Sequence, residues 1–426
     1  MPLDAMASGG IYDHVGGGFA RYSVDAFWMV PHFEKMLYDN ALIPRVYVHA
    51  WQVTGEDRFR QVVEETVGYV LRDLGRPDGG VYSAEDADSE GEEGRFYVWR
   101  PEEIRAVGAD AAIEWYGVTP AGNFEGSNIL HRPVRGDLLR PPAVEEARRL
   151  LFEARRTRVR PGLDDKVVTE WNAMFAATMA EAGAALGHDA WVDAAVRTAD
   201  FLLARLRRPD GRWLRAWHAE AGARHLAYAV DHAHLVDAFT RLAEATGAAR
   251  WIDDARATAD AMLALFWDDD EGGLFTTGLD AEALLVRGKD VYDGATPSAN
   301  SVAAFALARL GAITGHQPYT DAAHAVLRLL HGHLAHQPTA VTLAVATADL
   351  VVSGTTEIVV SGDRPDLVDA VHGRYLPNAV LAWGEPFASP LWEGRDQPAA
   401  YVCRAFVCGM PASSVDELVE QLDAPA

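Results

Sequence analysis

The stretch NAMFAATMAEAGAALGHDAW, Asn172 to Trp191, decides the fold. An apolar, alanine-rich run of helical length ends at Leu186-Gly187, and an aromatic residue follows four positions on. The same arrangement recurs at Val53-Thr54-Gly55 with Phe59, at Thr246-Gly247 with Trp251 and at Thr314-Gly315 with Tyr319. A helix commonly ends on a residue in the left-handed conformation, which glycine adopts without steric cost. Each glycine therefore reads as the turn between two antiparallel helices. The glycines stand 132, 60 and 68 residues apart, so the first gap holds about two periods and one unit there is degenerate or overwritten.

The two helices of a unit differ in character. The first (Asn172 to Leu186, Val230 to Thr246, Asn300 to Thr314) is apolar around much of its circumference, which predicts burial. The second, as in Ala190 to Arg207, carries its charges on one side, which predicts a surface helix. An inner and an outer ring follow: an all-α, α/α toroid of helical hairpins over residues 1–350. After Leu350 the pattern changes. Glu357 to Ser361, Asn378 to Trp383 and Ala400 to Val407 read as strands, with helices at Asp366 to Tyr375 and Ser414 to Leu422, giving a small α/β region over 351–426.

The chain has 426 residues, 49% of them hydrophobic, and a net charge of −24. That charge argues against nucleic acid and anionic membrane as partners, because both need clustered Lys and Arg, and suits a neutral small molecule. Met1-Pro2-Leu3-Asp4 lacks a basic start and an apolar run, so no signal peptide is expected. Apolar stretches such as Thr339 to Leu350 are too short to span a bilayer. Cys403 and Cys408 on one extended strand would lie roughly 16 Å apart, too far for a disulfide, and two thiols make a poor zinc site. The expectation is a cytoplasmic protein with two unpaired structural cysteines, no metal and no cofactor.

The outer helices run into loops of related form: Pro77-Asp78-Gly79-Gly80-Val81-Tyr82, Pro209-Asp210-Gly211-Arg212-Trp213 and Asp270-Glu271-Gly272-Gly273-Leu274-Phe275. Ser8-Gly9-Gly10-Ile11-Tyr12 reads as a fourth. These turns all lie where inner helices begin, and function collects on loops held by a rigid frame. Fifteen residues before the repeat glycines stand Asn40, Asn172, His232 and Asn300, and sixteen before stand Asp39, Trp171, Asp231 and Ala299. Polar residues thus recur at one level of the ring, either as helix caps or as a site.

The densest segment is Gly16 to Asn40. Pro31 suits a first helical position, which would set His32, Lys35 and Asp39 on one helical stripe able to move protons near neutral pH. Arg21, Tyr22, Trp28 and Phe33 lie beside it, with Glu34 as a reserve acid. A second cluster, Tyr82 to Gly94, carries Glu85, Asp86, Asp88, Glu90 and Gly91. It opens like a calcium loop and then fails, because Tyr97 stands where a bidentate Glu is required; a sugar-binding or gating loop and a solvated acidic turn are the other readings. Asp164-Asp165-Lys166, and Lys289-Asp290 ahead of Ser298 and Asn300, sit at the same expected level.

Several of these segments together resemble one family. They are Gly9-Gly10-Ile11-Tyr12-Asp13, Pro31 to Asn40, Tyr82 to Ser89, Gly122-Asn123-Phe124-Glu125-Gly126, Asp164-Asp165-Lys166 and Asp293 to Ser298. The family is the thioredoxin-domain-containing one of largely unsettled function that includes spermatogenesis-associated proteins, and the resemblance covers almost the whole chain. It implies a six-hairpin toroid like those of N-acylglucosamine 2-epimerases and several glycosidases, and adds Tyr12 and Asp13 to the candidate substrate-binding residues. The family's N-terminal thioredoxin-like domain has no counterpart here, nor has Cys-x-x-Cys, so thiol redox activity does not carry over. The resemblance also leaves the first hairpin incomplete, which implies a truncated start or a second chain, including another copy of this one, filling the gap.

Three functions follow as expectations. The leading one is a sugar epimerase or isomerase with His32 and His232 as acid and base, assisted by Glu34, Asp39 and Asp231. The others are a glycosidase using two of Glu34, Asp39, Asp86 and Asp231, and a non-catalytic sugar-binding or scaffold module.

Overall fold

The computed structural model describes residues 2–424, which form two compact units divided between Val167 and Val168. No helix among the described residues is long and apolar enough to cross a membrane.

The second unit carries the clearer repeat. Helices Thr169–Leu186, Ala229–Thr246 and Ala299–Thr314 are each followed by an antiparallel partner, Asp189–Leu206, Arg250–Phe266 and Gln317–Leu329. Thr169–Leu186 is buried at every position except Trp171, Glu181 and Ala184, whereas Asp189–Leu206 buries only one side. Gly187, Gly247 and Gly315 cap the inner helices at φ of 69°, 65° and 69°, each donating its N–H back into the last turn. Gly55 does the same in the first unit, between Leu37–Thr54 and Asp57–Tyr69. The repeat glycines are therefore the mechanical hinge points that the sequence predicts.

The small α/β elements also lie in the second unit. A four-stranded sheet runs in the order Ala379–Trp383, Thr356–Val360, Ala400–Arg404, Val407–Cys408, its first pair parallel and the others antiparallel. Pro365–His372 and Val415–Asp423 pack on it, burying Leu367, Val371 and Leu418 against Ile358 and Leu381. Here one expectation is overturned. The chain reverses at Ala405 and Phe406, both at positive φ (48° and 65°). Cys403 and Cys408 then face each other across the hairpin with Cα atoms 3.8 Å apart, and they form a disulfide.

In the first unit, Leu37–Thr54 is preceded by short strands rather than by more helix. Tyr22–Ser23 pairs with Pro31–His32, and Lys35–Met36 pairs with Ala84–Glu85, which pairs in turn with Leu163–Asp164. This corrects the expected helical stripe: His32 and Lys35 lie on strands, and only Asp39 is on the helix. Pro31 fits there because the hairpin is only two residues deep on each side, so a missing N–H costs little. A further hairpin, Asp88–Ser89 with Glu92–Glu93, turns through Glu90 and Gly91 at φ of 54° and 81°.

Candidate active site

The position fifteen residues ahead of each repeat glycine is a clamp. In the first unit Asn40, fully buried, accepts from the Phe19 N–H at 2.7 Å and donates to the Phe19 and Met36 carbonyls at 2.9 and 2.8 Å. In the second unit Asn300 accepts from the Leu274 N–H at 2.8 Å and donates to the Leu274 and Asp290 carbonyls at 3.0 and 2.7 Å. Each Asn satisfies both backbone groups of one loop residue that would otherwise be orphaned. Tandem glycines precede both loop residues, Gly17-Gly18 and Gly272-Gly273, all at positive φ. A Cβ on Gly18 or Gly273 would lie 3.0 or 2.9 Å from the clamping oxygen. The loops share a bridge as well: Tyr12 to Phe19, Gly75 to Val81, Arg207 to Trp213 and Trp267 to Leu274. The fourth loop of the repeat is thus residues 12–19, not Ser8 to Tyr12.

His232 and Asn172 take the same level. Asn172 donates to the Val168 carbonyl at 3.0 Å, and His232 Nδ1 lies 2.9 Å from the Tyr228 carbonyl. His232 is fully buried, and burial pulls its imidazole down to about 4, so it is neutral and out of reach of solvent. Asp231 is also fully buried. Its oxygens accept from the Tyr228 and Glu170 N–H groups and from Arg215 at 2.8, 3.1 and 2.9 Å, and Arg215 also pairs with Glu170 at 2.8 Å. Burial raises both carboxyls despite Arg215. These groups tie Thr169–Leu186 to Ala229–Thr246, so Asp231, expected as a catalytic residue, is held in the frame, with His232 buried beside it. Nothing in the sequence marked Glu170 or Arg215 as part of this knot.

The remaining candidates of the second unit serve the backbone too. Lys289 pairs with Asp268 at 2.6 Å and donates to the Gly272 carbonyl at 2.7 Å. Asp290 accepts from the Ala299 N–H, and Ser298 caps its helix through the Ser301 N–H. Trp171 is half-buried at the start of its helix.

Lys35 and Asp13 form a buried ion network in the first unit. Lys35 Nζ donates to Asp13 at 2.8 Å and sits 4.1 Å from the Tyr69 ring centre, and Arg155 grips Asp13 with two bonds of 2.8 Å. Burial opposes the Asp13 charge, but Arg155 and Lys35 outweigh it and hold the carboxyl well below its usual range. Burial pulls Lys35 below its ordinary value. Glu85, also buried, accepts from Arg160 at 2.7 Å and from the Tyr69 hydroxyl at 3.1 Å. Tyr12, Asp13, His14, Phe33, Lys35 and Tyr97 line a cavity of about 30 Å³, room for a water or two. Tyr12, Asp13, Lys35, Asn40 and Glu85, expected to bind substrate, are thus held in buried hydrogen-bond and ion-pair networks. Asp86 and Asp88 are exposed, Asp88 on the first strand of the 88–93 hairpin, and Lys166 pairs with Asp164 at 3.0 Å beside half-buried Asp165.

One group of candidates does converge where solvent reaches them. Arg21 donates to Glu34 at 2.9 Å, and Glu34 lies 3.7 Å from His32 Nε2. The His32 ring stacks on Tyr22 with centres 5.0 Å apart, and its Nδ1 lies 2.8 Å from Glu93 Oε1. Asp39 lies within electrostatic reach of Arg21 and Glu34. Its Oδ2 is buried and has no hydrogen-bond partner among the described residues. Burial pushes its carboxyl up to about 8, with Arg21 pulling down and Glu34 pushing further up. The hairpin through Trp28, itself at a positive φ of 64°, is braced by Asp25, which accepts from the Phe27, Met29 and Val30 N–H groups. Glu93 escaped sequence reading, although the Glu90-Gly91 turn that delivers it lay in a flagged segment.

This geometry belongs to a chain with identifiable relatives. No protein-family model matches it. Human spermatogenesis-associated protein 20 is 35% identical over 98% of this chain and 61% of its own length. The chain is a homologue of spermatogenesis-associated protein 20. An uncharacterised Caenorhabditis elegans protein is 28% identical over 98% of the chain and 65% of its length. The chain thus spans a little over three-fifths of these relatives. Among solved structures, cellobiose 2-epimerase from Bacillus thermoamylovorans matches 78% of this chain and 68% of its own, with a TM-score of 0.50 and 11% identity. That likeness shows the fold class, an (α/α)6 toroid of helical hairpins with small sheets, and at such identity shows the fold alone.

Proposed function

We propose that this chain moves a proton at the carbon beside the carbonyl of a neutral sugar, as an isomerase or epimerase does. His32 is the base and Asp39 the acid. The observation that carries the reading is the Asp39 carboxyl: buried, with one oxygen unpartnered, and raised to about 8. It keeps its proton at neutral pH and can donate it to a substrate oxygen, the standard use of an acid with a raised pKa.

The steps balance with these groups alone. His32 Nε2 takes the C2 proton of an open-chain aldose while Asp39 gives its proton to O1, leaving an enediol. His32 then returns its proton to C1 while Asp39 recovers one from the C2 hydroxyl, and the product is a ketose. One base on one face suffices for this outcome, whereas an epimer needs a proton delivered to the opposite face of C2. Glu34, steadied by Arg21, stands 3.7 Å from His32 Nε2, on the side of the ring that receives the proton.

A protonated Asp39 beside the Glu34 carboxylate also suits a glycosidase, in which one carboxyl protonates the leaving oxygen. One experiment separates the two. The protein is incubated with aldoses, ketoses and disaccharides in D2O and followed by proton NMR. Loss of the C2 proton signal, abolished by His32→Ala and by Asp39→Asn, is the expected result. Monosaccharide release without exchange assigns the site to glycoside hydrolysis, and no change with any sugar refutes both.

A further inference from the structure

The base proposed above needs a free lone pair on the correct ring nitrogen, and the structure supplies a group that fixes which one it is. We infer that Glu93 is a positioning residue: its carboxylate holds the proton of neutral His32 on Nδ1 and leaves Nε2 as the atom presented to substrate. The inference rests on the proposed role of His32, but its geometry stands apart from any reaction.

Three contacts define the imidazole. Nδ1 meets Glu93 Oε1 at 2.8 Å, a hydrogen-bond distance, and Nε2 meets Glu34 Oε2 at 3.7 Å, beyond one. Tyr22 stacks on one ring face at 21° to its plane, which sets the plane of the imidazole, and the hydrogen bond to Glu93 sets which edge faces the hairpin. Tyr22 and His32 are also register partners across the hairpin, which fixes the backbone beneath the stack. A carboxylate can only accept, so the neutral ring must place its one N–H toward Glu93. Glu93 Oε1 is also 3.4 Å from the Phe33 N–H, which helps hold the acceptor in place. The charged neighbours of the ring are therefore Glu93 on the Nδ1 side, and on the Nε2 side Glu34 together with its partner Arg21.

The acidic turn acquires a purpose from this. Residues 88–93 form a free-standing two-stranded hairpin whose last residue, Glu93, meets the ring sixty-one positions away in sequence. The hairpin also carries Glu90 and Glu92, both paired with Arg95 at 3.2 Å, which leaves Glu93 as the carboxylate turned to the histidine. A carboxylate or carbonyl that orients a working histidine through its other nitrogen is a recurrent device in acid–base sites.

The test reads the tautomer directly. The full chain is labelled with 15N-histidine and the His32 ring is observed by two-bond 1H–15N correlation at a pH where it is neutral, with His32→Gln assigning the signals. The expected pattern is the Nδ1–H tautomer, the minor one for free histidine. Glu93→Gln, whose amide oxygen still accepts, retains it, and Glu93→Ala reverts to the ordinary Nε2–H form. Deuterium exchange into sugar should then fall by roughly tenfold or more in Glu93→Ala and recover partly in Glu93→Gln. An Nε2–H tautomer in the unmodified chain, or no change on Glu93→Ala, overturns the inference. If the tautomer responds as expected and no sugar exchanges, the positioning holds and the proposed reaction fails.

Discussion

Asp39 and Asp231 occupy the same step of the repeat, sixteen residues ahead of Gly55 and Gly247. Asp231 is tied by two backbone N–H groups and by Arg215. Asp39 has a buried oxygen with no hydrogen-bond partner among the described residues. The next residue does the same structural work in both places, since Asn40 and His232 each bond a carbonyl four residues back. The clamp therefore holds the frame, and the aspartate beside it is left open to different uses: in one unit a girder, in the other the acid of the proposed reaction. Burial raises both carboxyls, so burial alone does not mark a site. What sets Asp39 apart is an oxygen with no hydrogen-bond partner among the described residues, beside the charges of Arg21 and Glu34.

That contrast is open to attack at each point. The largest effect is expected from Asp39→Asn, which should lower sugar turnover about 10³-fold, some 4 kcal/mol in the barrier, while leaving the fold intact. Unmodified activity should also fall as pH rises through about 8, where Asp39 loses its proton. Stability should follow the same group. Between its ordinary range near 3.8 and about 8 the native chain holds a proton that the unfolded chain has released, so this group makes stability fall as pH rises through that window. Asp39→Asn should flatten that slope in urea titrations at several pH values.

Asp231→Ala should do the reverse, costing roughly 3 kcal/mol of stability because Arg215 and two N–H groups lose their partner; an unchanged urea midpoint would remove the distinction between the two aspartates. Asn300→Ala is expected to cost about 2 kcal/mol, since both polar groups of Leu274 are orphaned, with hydrogen exchange at the Leu274 amide rising in step. Gly187→Ala is the smallest change, about 1 kcal/mol. A Cβ there meets nothing within 4 Å, so thermal unfolding would read the cost of the left-handed conformation alone.

What the sequence made legible was what repeats. The inner helices read at Asn172, Val230 and Asn300 begin at Thr169, Ala229 and Ala299, and their glycine caps are where they were expected. Local chemistry sufficed there, because a helix end and its cap lie within five residues of each other. The site was legible only in part. His32, Glu34, Arg21, Tyr22 and Asp39 were read from one dense segment, but Glu93 joins them from across a separate hairpin. The clamp was visible as a recurring polar position, yet its partners Phe19 and Leu274 lie 21 and 26 residues away, beyond any local pattern. The same blindness to chain reversal hid the Cys403–Cys408 disulfide, which depends on two residues at positive φ in Ala405 and Phe406.

The central claim is that Asp39 carries a proton at neutral pH, and its carboxyl can be titrated directly. Aspartate labelled with 13C at the carboxyl, assigned by difference with Asp39→Asn, would be followed by NMR across the pH range in which the chain stays folded. The account predicts a midpoint near 8. A midpoint near 4, the ordinary carboxylate range, would leave Asp39 ionised at neutral pH and remove the acid on which the proposed reaction depends.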